Sequence, residues 1–407
     1  MITTANRLEG IGEYYFSQKL REIEQLNKQG KKVINLGIGS PDLPPHPDVI
    51  KELQETSALS DTHAYQGYKG IPALRSAFSN WYQEWYGVTL DAESEILPLI
   101  GSKEGIMHIC MTYLNEGDMA LVPNPGYPTY RSAVKLAGGT CIDYKITGEE
   151  YAEIDFEELE TVVQKYNTPI VSSGANTVKD GRIKLMWVNF PHMPTGKRAA
   201  RGLFEKLIAF GKKYNMLICH DNPYSFILNS NPTSILSVEG AKDIAIELNS
   251  LSKSHNMAGW RLGVMVASAR RINEVLRFKS NMDSGMFLPV QRAAVKALRL
   301  GNEWFTQINK IYGQRREKVF QLLDLLGCSY NTDQVGMFVW ASIPAHEDSG
   351  FSFSDKILYS TGVFITPGGI FGNQGDQFIR VSLCSKPEVL DESIQRIKLF
   401  QEKIQIV

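Results

Sequence analysis

The chain is predicted to be an α/β protein: a large domain on a mostly parallel seven-stranded sheet flanked by helices, with a smaller α+β domain. Three observations predict it. Short apolar runs alternate with helical periodicity through residues 96–266, the pattern of strand–helix–strand units. After about residue 290 the pattern changes to long charged helices framing short strands. At 407 residues, the chain has room for two or three cores of ordinary size.

Taken in order, residues 1–45 form an arm and a helix over 15–29 that feeds the strand-like Val33-Ile34-Asn35-Leu36. Residues 46–289 make the large domain. There Pro72 sits where a helix favours it, and Ile71, Leu74, Phe78, Trp81, Tyr82 and Trp85 recur at helical spacing, which marks a core face. Strands are expected at 96–100, 119–122, 140–144, 185–189, 216–220, 244–248 and 262–266. The polar stretch 165–182 lacks periodic apolar residues and reads as a surface loop or hairpin. Residues 290–407 make the small domain, with helices over 290–300, 305–326 and 391–404 and strands at 337–341, 363–366 and 378–383.

Lys plus Arg number 43 and Asp plus Glu 44, so no net field draws nucleic acid or an acidic membrane. Five scattered cysteines show no metal-type spacing and read as reduced core thiols. The N-terminus leads into charged residues, and no apolar run approaches the length of a membrane span. A soluble, cytoplasmic protein is expected.

The chemistry centres on Ser250-Leu251-Ser252-Lys253-Ser254, with Arg261 eight positions beyond the lysine. An ammonium among apolar and hydroxyl groups, near a second cation, loses proton affinity and becomes a nucleophile towards an aldehyde, while hydroxyls and an arginine suit a phosphate. An aldehyde that carries a phosphate is pyridoxal phosphate. The segment resembles the Schiff-base motif of the fold-type-I, class I/II aminotransferases, and the stretch Lys279-Ser280-Asn281-Met282-Asp283-Ser284-Gly285-Met286-Phe287, with the Gly101–Gly105 loop, most resembles their LL-diaminopimelate members and the aspartate- and alanine-type relatives of these. The resemblance implies that Lys253 bonds the cofactor aldehyde and acts as the catalytic base. It also implies that Arg261, Ser250 and Ser252 hold the cofactor. In that family the N-terminal segment completes the small domain, and 165–182 is an insertion.

Other motifs agree in order along the chain. Gly101-Ser102-Lys103-Glu104-Gly105 follows a strand and opens a helix, so free N–H groups there suit a phosphate; the resemblance implies Ser102 and Lys103. Asp221 closes a strand, where a carboxylate would keep a pyridine nitrogen protonated. The family pattern gives Tyr224 a hydrogen bond to the cofactor's phenolic oxygen and Tyr127 a stacking role on its ring. It gives Tyr65 a reach to the phosphate of a neighbouring subunit, which predicts a homodimer with shared sites. Arg380, flanked by apolar residues, has the planar fork that suits a carboxylate; in the family it holds the substrate α-carboxylate beside Gly39. Lys103 can also face the distal carboxylate of an acidic substrate, so glutamate with 2-oxoglutarate is the expected pair. The arm near Tyr14 is expected to touch substrate.

One position departs from the family. Its two asparagines before Pro-Thr-Gly are here His192 and Met193. A thioether cannot donate to the cofactor phenolate, so the lysine–cofactor imine should hold its proton more tightly unless His192 or water supplies the donor. The expected reaction moves an amino group between an L-amino acid and a 2-oxo acid. Carbon–sulfur elimination and a cofactor-binding regulatory role remain open at this level, and a nicotinamide enzyme lacks its glycine fingerprint.

Overall fold

The computed structural model describes residues 2–13, 15–167 and 182–405. Seven strands form the central sheet: β1 (Ile96–Leu99), β2 (Met119–Asn124), β3 (Thr140–Lys145), β4 (Ile183–Asn189), β5 (Leu217–Asp221), β6 (Ala245–Ser250) and β7 (Gly263–Ala267). Their spatial order is β1-β7-β6-β5-β4-β2-β3. Only β7 runs against its neighbours, pairing antiparallel with both β1 and β6.

Alternation along each strand divides its side chains between two helical layers. Leu185 and Trp187 of β4 face one side, where Ile106, Ile109, Val134, Ile272 and Val275 cover the sheet. Met186 and Val188 face the other, where Leu74, Phe78, Leu207 and Ala294 do so. Both faces are thus dry away from the edge strand β3, which is why the other strands read as continuous apolar runs. The helix Ser102–Tyr113 lies close on this sheet because Gly105 leaves room: a Cβ there would stand 2.6 Å from Leu248 and 2.7 Å from Leu99. That close approach sets the height of the Gly101–Lys103 turn above the ends of β1 and β6.

The second sheet orders β8 (Ser329–Tyr330), β9 (Phe338–Ser342), β11 (Phe378–Ser382) and β10 (Thr366–Pro367), all antiparallel, with Trp340 and Thr366 opposite Arg380. The strand expected at 363–366 is divided. Val363–Phe364 pairs with Ile34–Asn35 from the N-terminal segment, and only Thr366–Pro367 joins the four-stranded sheet. The chain changes partners at Ile365. A further bond from the Ser382 N–H to the Leu36 carbonyl ties that segment to β11. The loop or hairpin expected at 165–182 lies mostly outside the described residues; the helix Phe156–Asn167 carries through its first positions.

Among the described residues no helix is long and apolar enough to cross a membrane. All five cysteines are free, and four are buried.

Candidate active site

The carboxyl ends of parallel strands open onto one cavity of 480 Å³, where an open α/β sheet places its ligands. Asp221 ends β5 and Ser250 ends β6, while Ser102 and Lys103 open the helix that follows β1. All four line the cavity, together with Tyr127, Tyr224, Ser252, Lys253 and Arg261. Gly39 and Arg380 reach it from the N-terminal segment and the second sheet. Two expected residues stand apart. Tyr65 does not line the cavity and is 93% exposed, and Tyr14 lies outside the described residues.

Lys253 sits on the short helix Leu251–Ser254, with its Nζ donating to the Gly39 carbonyl at 2.6 Å. Burial lowers its pKa, and the charges of Arg380 and Arg261 push the same way. A depressed ammonium is a ready amine. Ser250 Oγ donates to Ser252 Oγ at 2.9 Å and accepts from the Ser252 N–H, which fixes both hydroxyls at the cavity wall. Arg261 takes a left-handed backbone, φ 58°, and its Nη1 donates to the Ala258 carbonyl at 3.0 Å. Its guanidinium lies against Gly101, where φ is 115° and a Cβ would come within 2.7 Å of Nη2. Glycine alone fits that turn.

Asp221 is buried and accepts from the Tyr130 hydroxyl at 2.9 Å through Oδ2, whereas its Oδ1 is buried without a hydrogen-bond partner. Burial pushes its pKa up to about 6 against the opposing bond from Tyr130 and the charge of His220. A buried carboxylate oxygen left unsatisfied at a strand end is the feature a protonated pyridine nitrogen would complete. The cavity therefore fits pyridoxal phosphate: an amine for its aldehyde, an anion for its ring nitrogen, and hydroxyls with an arginine for its phosphate.

Arg380 is clamped from several sides. Its Nη2 donates to the Gly37 carbonyl at 2.8 Å, and its guanidinium lies 3.8 Å from the Phe338 ring centroid and 4.6 Å from that of Phe371. Met193 lies in the lining with its Sδ 3.3 Å from Arg380 Nη1. His192 turns elsewhere: its Nδ1 pairs with the Thr195 hydroxyl at 2.7 Å, and burial brings its pKa down to about 3. It is not among the lining residues, so it does not stand in for the missing asparagine.

Sequence reasoning missed several members. Tyr130, which no motif singled out, holds Asp221. Asn189 lines the cavity and bridges two strand ends, donating to the Asp221 carbonyl at 2.6 Å and accepting from the Met193 N–H at 2.8 Å. Phe338 and Phe371 lie against the Arg380 guanidinium, and Phe16, Leu20 and Ile38 add apolar lining. Only Asn189 carried a local signal, as the first residue of the segment that ends in Pro-Thr-Gly.

Comparison with known proteins agrees with this geometry. The model of the aminotransferase class I and II family matches residues 31–397. An LL-diaminopimelate aminotransferase of Dehalococcoides mccartyi is 37% identical over 401 residues, covering 98% of this chain and 99% of its own. The enzyme of the same name from Moorella thermoacetica is 35% identical over 403 residues, covering 98% and 99%. Among solved structures, substrate-bound BacF from Bacillus subtilis superposes with a TM-score of 0.89 at 33% identity, covering 98% of both chains. A probable N-succinyldiaminopimelate aminotransferase from Thermus thermophilus gives 0.84 at 29% identity, covering 95% and 99%. The chain belongs to the aminotransferase class I and II family and is an aminotransferase.

Proposed function

We propose that this aminotransferase works with pyridoxal phosphate held by Lys253, Asp221 and Arg261, and that glutamate with 2-oxoglutarate is one of its substrate pairs. The observation that carries the reading is the Lys253 amine, whose ammonium burial disfavours, in one cavity with the unsatisfied Asp221 carboxylate and the clamped Arg380. When bound, the cofactor supplies an aldehyde that captures the substrate amine and a ring that takes up the electron pair left at the α-carbon. Asp221 holds the ring-nitrogen proton. Tyr130 and Asn189 fix Asp221 in turn through its side chain and its carbonyl. Ser250, Ser252, Ser102 and Arg261 would hold the phosphate, and Tyr127 and Tyr224, which line the same cavity, would hold the ring and its phenolic oxygen.

Arg380 pairs with the substrate α-carboxylate beside Gly39, its fork pre-set by the two phenylalanines. With the carboxylate held there, the Lys253 Nζ would be placed to take up the substrate α-proton and hold it for return. Lys103, exposed in the lining, meets a distal carboxylate. Glutamate offers one, and so does LL-diaminopimelate, the substrate in the names of two relatives above.

The enzyme acts as a homodimer with shared sites. Tyr65 and Tyr68 are 93% and 45% exposed, as are Met282 and Phe287 at 51% and 45%, and the rings of His63 and Phe287 lie 5.8 Å apart. Two touching segments thus expose a joint apolar surface, of the kind that a partner covers.

The test is a half-reaction. Purified protein loaded with pyridoxal phosphate is mixed with L-glutamate or LL-diaminopimelate, with no oxo acid present, and the visible absorbance is followed. One oxo acid formed per site, with loss of the visible band and its return on adding 2-oxoglutarate, supports the reading. Continuous release of ammonia would count against it, and so would retention of the reaction by Lys253→Ala.

A further inference from the structure

Directly beneath the Gly101–Lys103 turn, outside the cavity lining, four ionisable side chains share a buried cluster. Glu104 turns one carboxylate oxygen back to accept the Ile100 N–H at 2.5 Å and the other to His108 Nε2 at 2.7 Å. Lys279, whose side chain is 1% exposed, sets its Nζ 3.4 Å from that second oxygen and 2.5 Å from Asp283 Oδ2. The donor atoms of Glu104, His108 and Asp283 lie close enough together for a metal, but the Lys279 ammonium already supplies the cation of this cluster.

Glu104 faces two demands. By accepting the Ile100 N–H it pins the residue before Gly101, and with it the turn whose free N–H groups open the helix. As a bare carboxylate in that first turn it would also oppose any dianion arriving at the same helix end, since both draw on the same positive pole. Lys279 resolves the conflict. It ends the neighbouring helix Ala269–Lys279 and, from outside the cavity lining, places its charge between Asp283 and Glu104. Although burial alone would raise the Glu104 carboxyl, the bond from His108 and the Lys279 charge hold it below the usual carboxylate range, while burial and the neighbouring Glu104 push Asp283 up, so Glu104 is the one that stays an acceptor.

We infer that Lys279 is a positioning residue for the cofactor phosphate: it neutralises Glu104 so that Glu104 can hold the 100–103 turn without repelling the phosphate that turn receives. The inference rests on the pyridoxal phosphate reading above.

Comparing pyridoxal phosphate with pyridoxal tests it, because the two differ only in the group this turn would bind. Both are titrated into cofactor-free protein by visible absorbance, with far-ultraviolet circular dichroism as the folding control. Lys279→Met is expected to weaken pyridoxal phosphate binding by about tenfold or more, while pyridoxal binding changes by less than about threefold. Adding Glu104→Gln to Lys279→Met should return pyridoxal phosphate binding to within about threefold of the parent, because the amide still accepts the Ile100 N–H without the charge. Lys279→Arg should keep it. Equal losses for both ligands, or a loss that Glu104→Gln fails to relieve, would overturn the proposal. If Lys279→Met does not fold, Glu104→Gln alone decides: retained or tighter phosphate binding supports it, and weaker binding overturns it. A parent protein that binds both ligands but shows no change of ratio in the variants sinks only this inference. One that forms no visible band with either sinks the cofactor reading and this inference with it.

Discussion

Asp221 is kept in the cavity at a cost that the cofactor-free protein bears alone. Burial raises its carboxyl from the ordinary 3.8 to about 6, so the folded state binds a proton more tightly than the unfolded chain does. Stability is therefore lost as pH rises from about 4 to about 6, and above that window the ionised carboxylate costs roughly 3 kcal/mol. Asp221→Asn should remove the cost: without cofactor, its melting temperature should exceed that of the parent by more at pH 8 than at pH 5. The same variant should lose most of its turnover, having no anion to hold a ring-nitrogen proton. A pH-independent gain would reject the account. Met193 makes the second residue-scale case. With its thioether against Arg380 and His192 turned to Thr195, neither donates into the cavity. Met193→Asn should lower the pH midpoint of the cofactor's visible absorbance change by roughly one to two units, the value of one hydrogen bond to a charged acceptor. An unmoved midpoint would mean that the phenolate already has another donor. Lys253, Asp221, Arg261 and Arg380 were legible because each chemistry needs one residue type in one local setting. Tyr130 was not, because its bond to Asp221 spans 91 positions and nothing beside it in sequence marks a tyrosine for that task.

Elements place these residues by how their ends align and how closely they pack. Six strands of the large sheet could be read because both of their faces are buried, which writes each as an apolar run, whereas the edge strand Thr140–Lys145 is largely exposed. Their ends are harder to read: β5 runs one residue past the expected 216–220, so Asp221 belongs to the strand and takes its register from Asn189 of β4. The interval 363–366 misled for a different reason. It serves two sheets, and one partner, Ile34–Asn35, lies more than three hundred positions away. At the Gly101 turn local and long-range demands meet, since the positive φ and the Arg261 guanidinium each exclude a side chain. Gly101→Ala should therefore cost roughly 1–3 kcal/mol of stability from backbone strain. Displacing Arg261 as well, it should weaken pyridoxal phosphate binding by about tenfold or more while leaving pyridoxal nearly unaffected. Thermal melts and the same two-ligand titration check both parts, and a loss of stability alone would show that the turn does not bind phosphate.

At the scale of the whole molecule, one protomer leaves a question that its own cavity does not answer, because Tyr65 is almost fully exposed and lies off the lining. Neither periodicity nor spacing could say what such a tyrosine touches; only the family pattern assigned it to a neighbour's phosphate. If sites are shared, each needs Lys253 from one chain and Tyr65 from the other. Lys253→Ala should be inactive as a homodimer, and Tyr65→Ala should be impaired through weaker cofactor retention. Mixing the two under conditions that exchange subunits then makes a specific demand. In the hybrid dimer one site carries both lesions, whereas the other combines an intact Lys253 with an intact partner Tyr65. With random exchange half the dimers are hybrids, so activity should rise to about a quarter of the parent's, plus any contribution from residual Tyr65→Ala sites. Sedimentation should show dimers for both parents and for the mixture. Activity equal to the average of the two separate variants, with exchange demonstrated, would mean that each chain completes its own site and that the exposed tyrosine faces solvent or another surface.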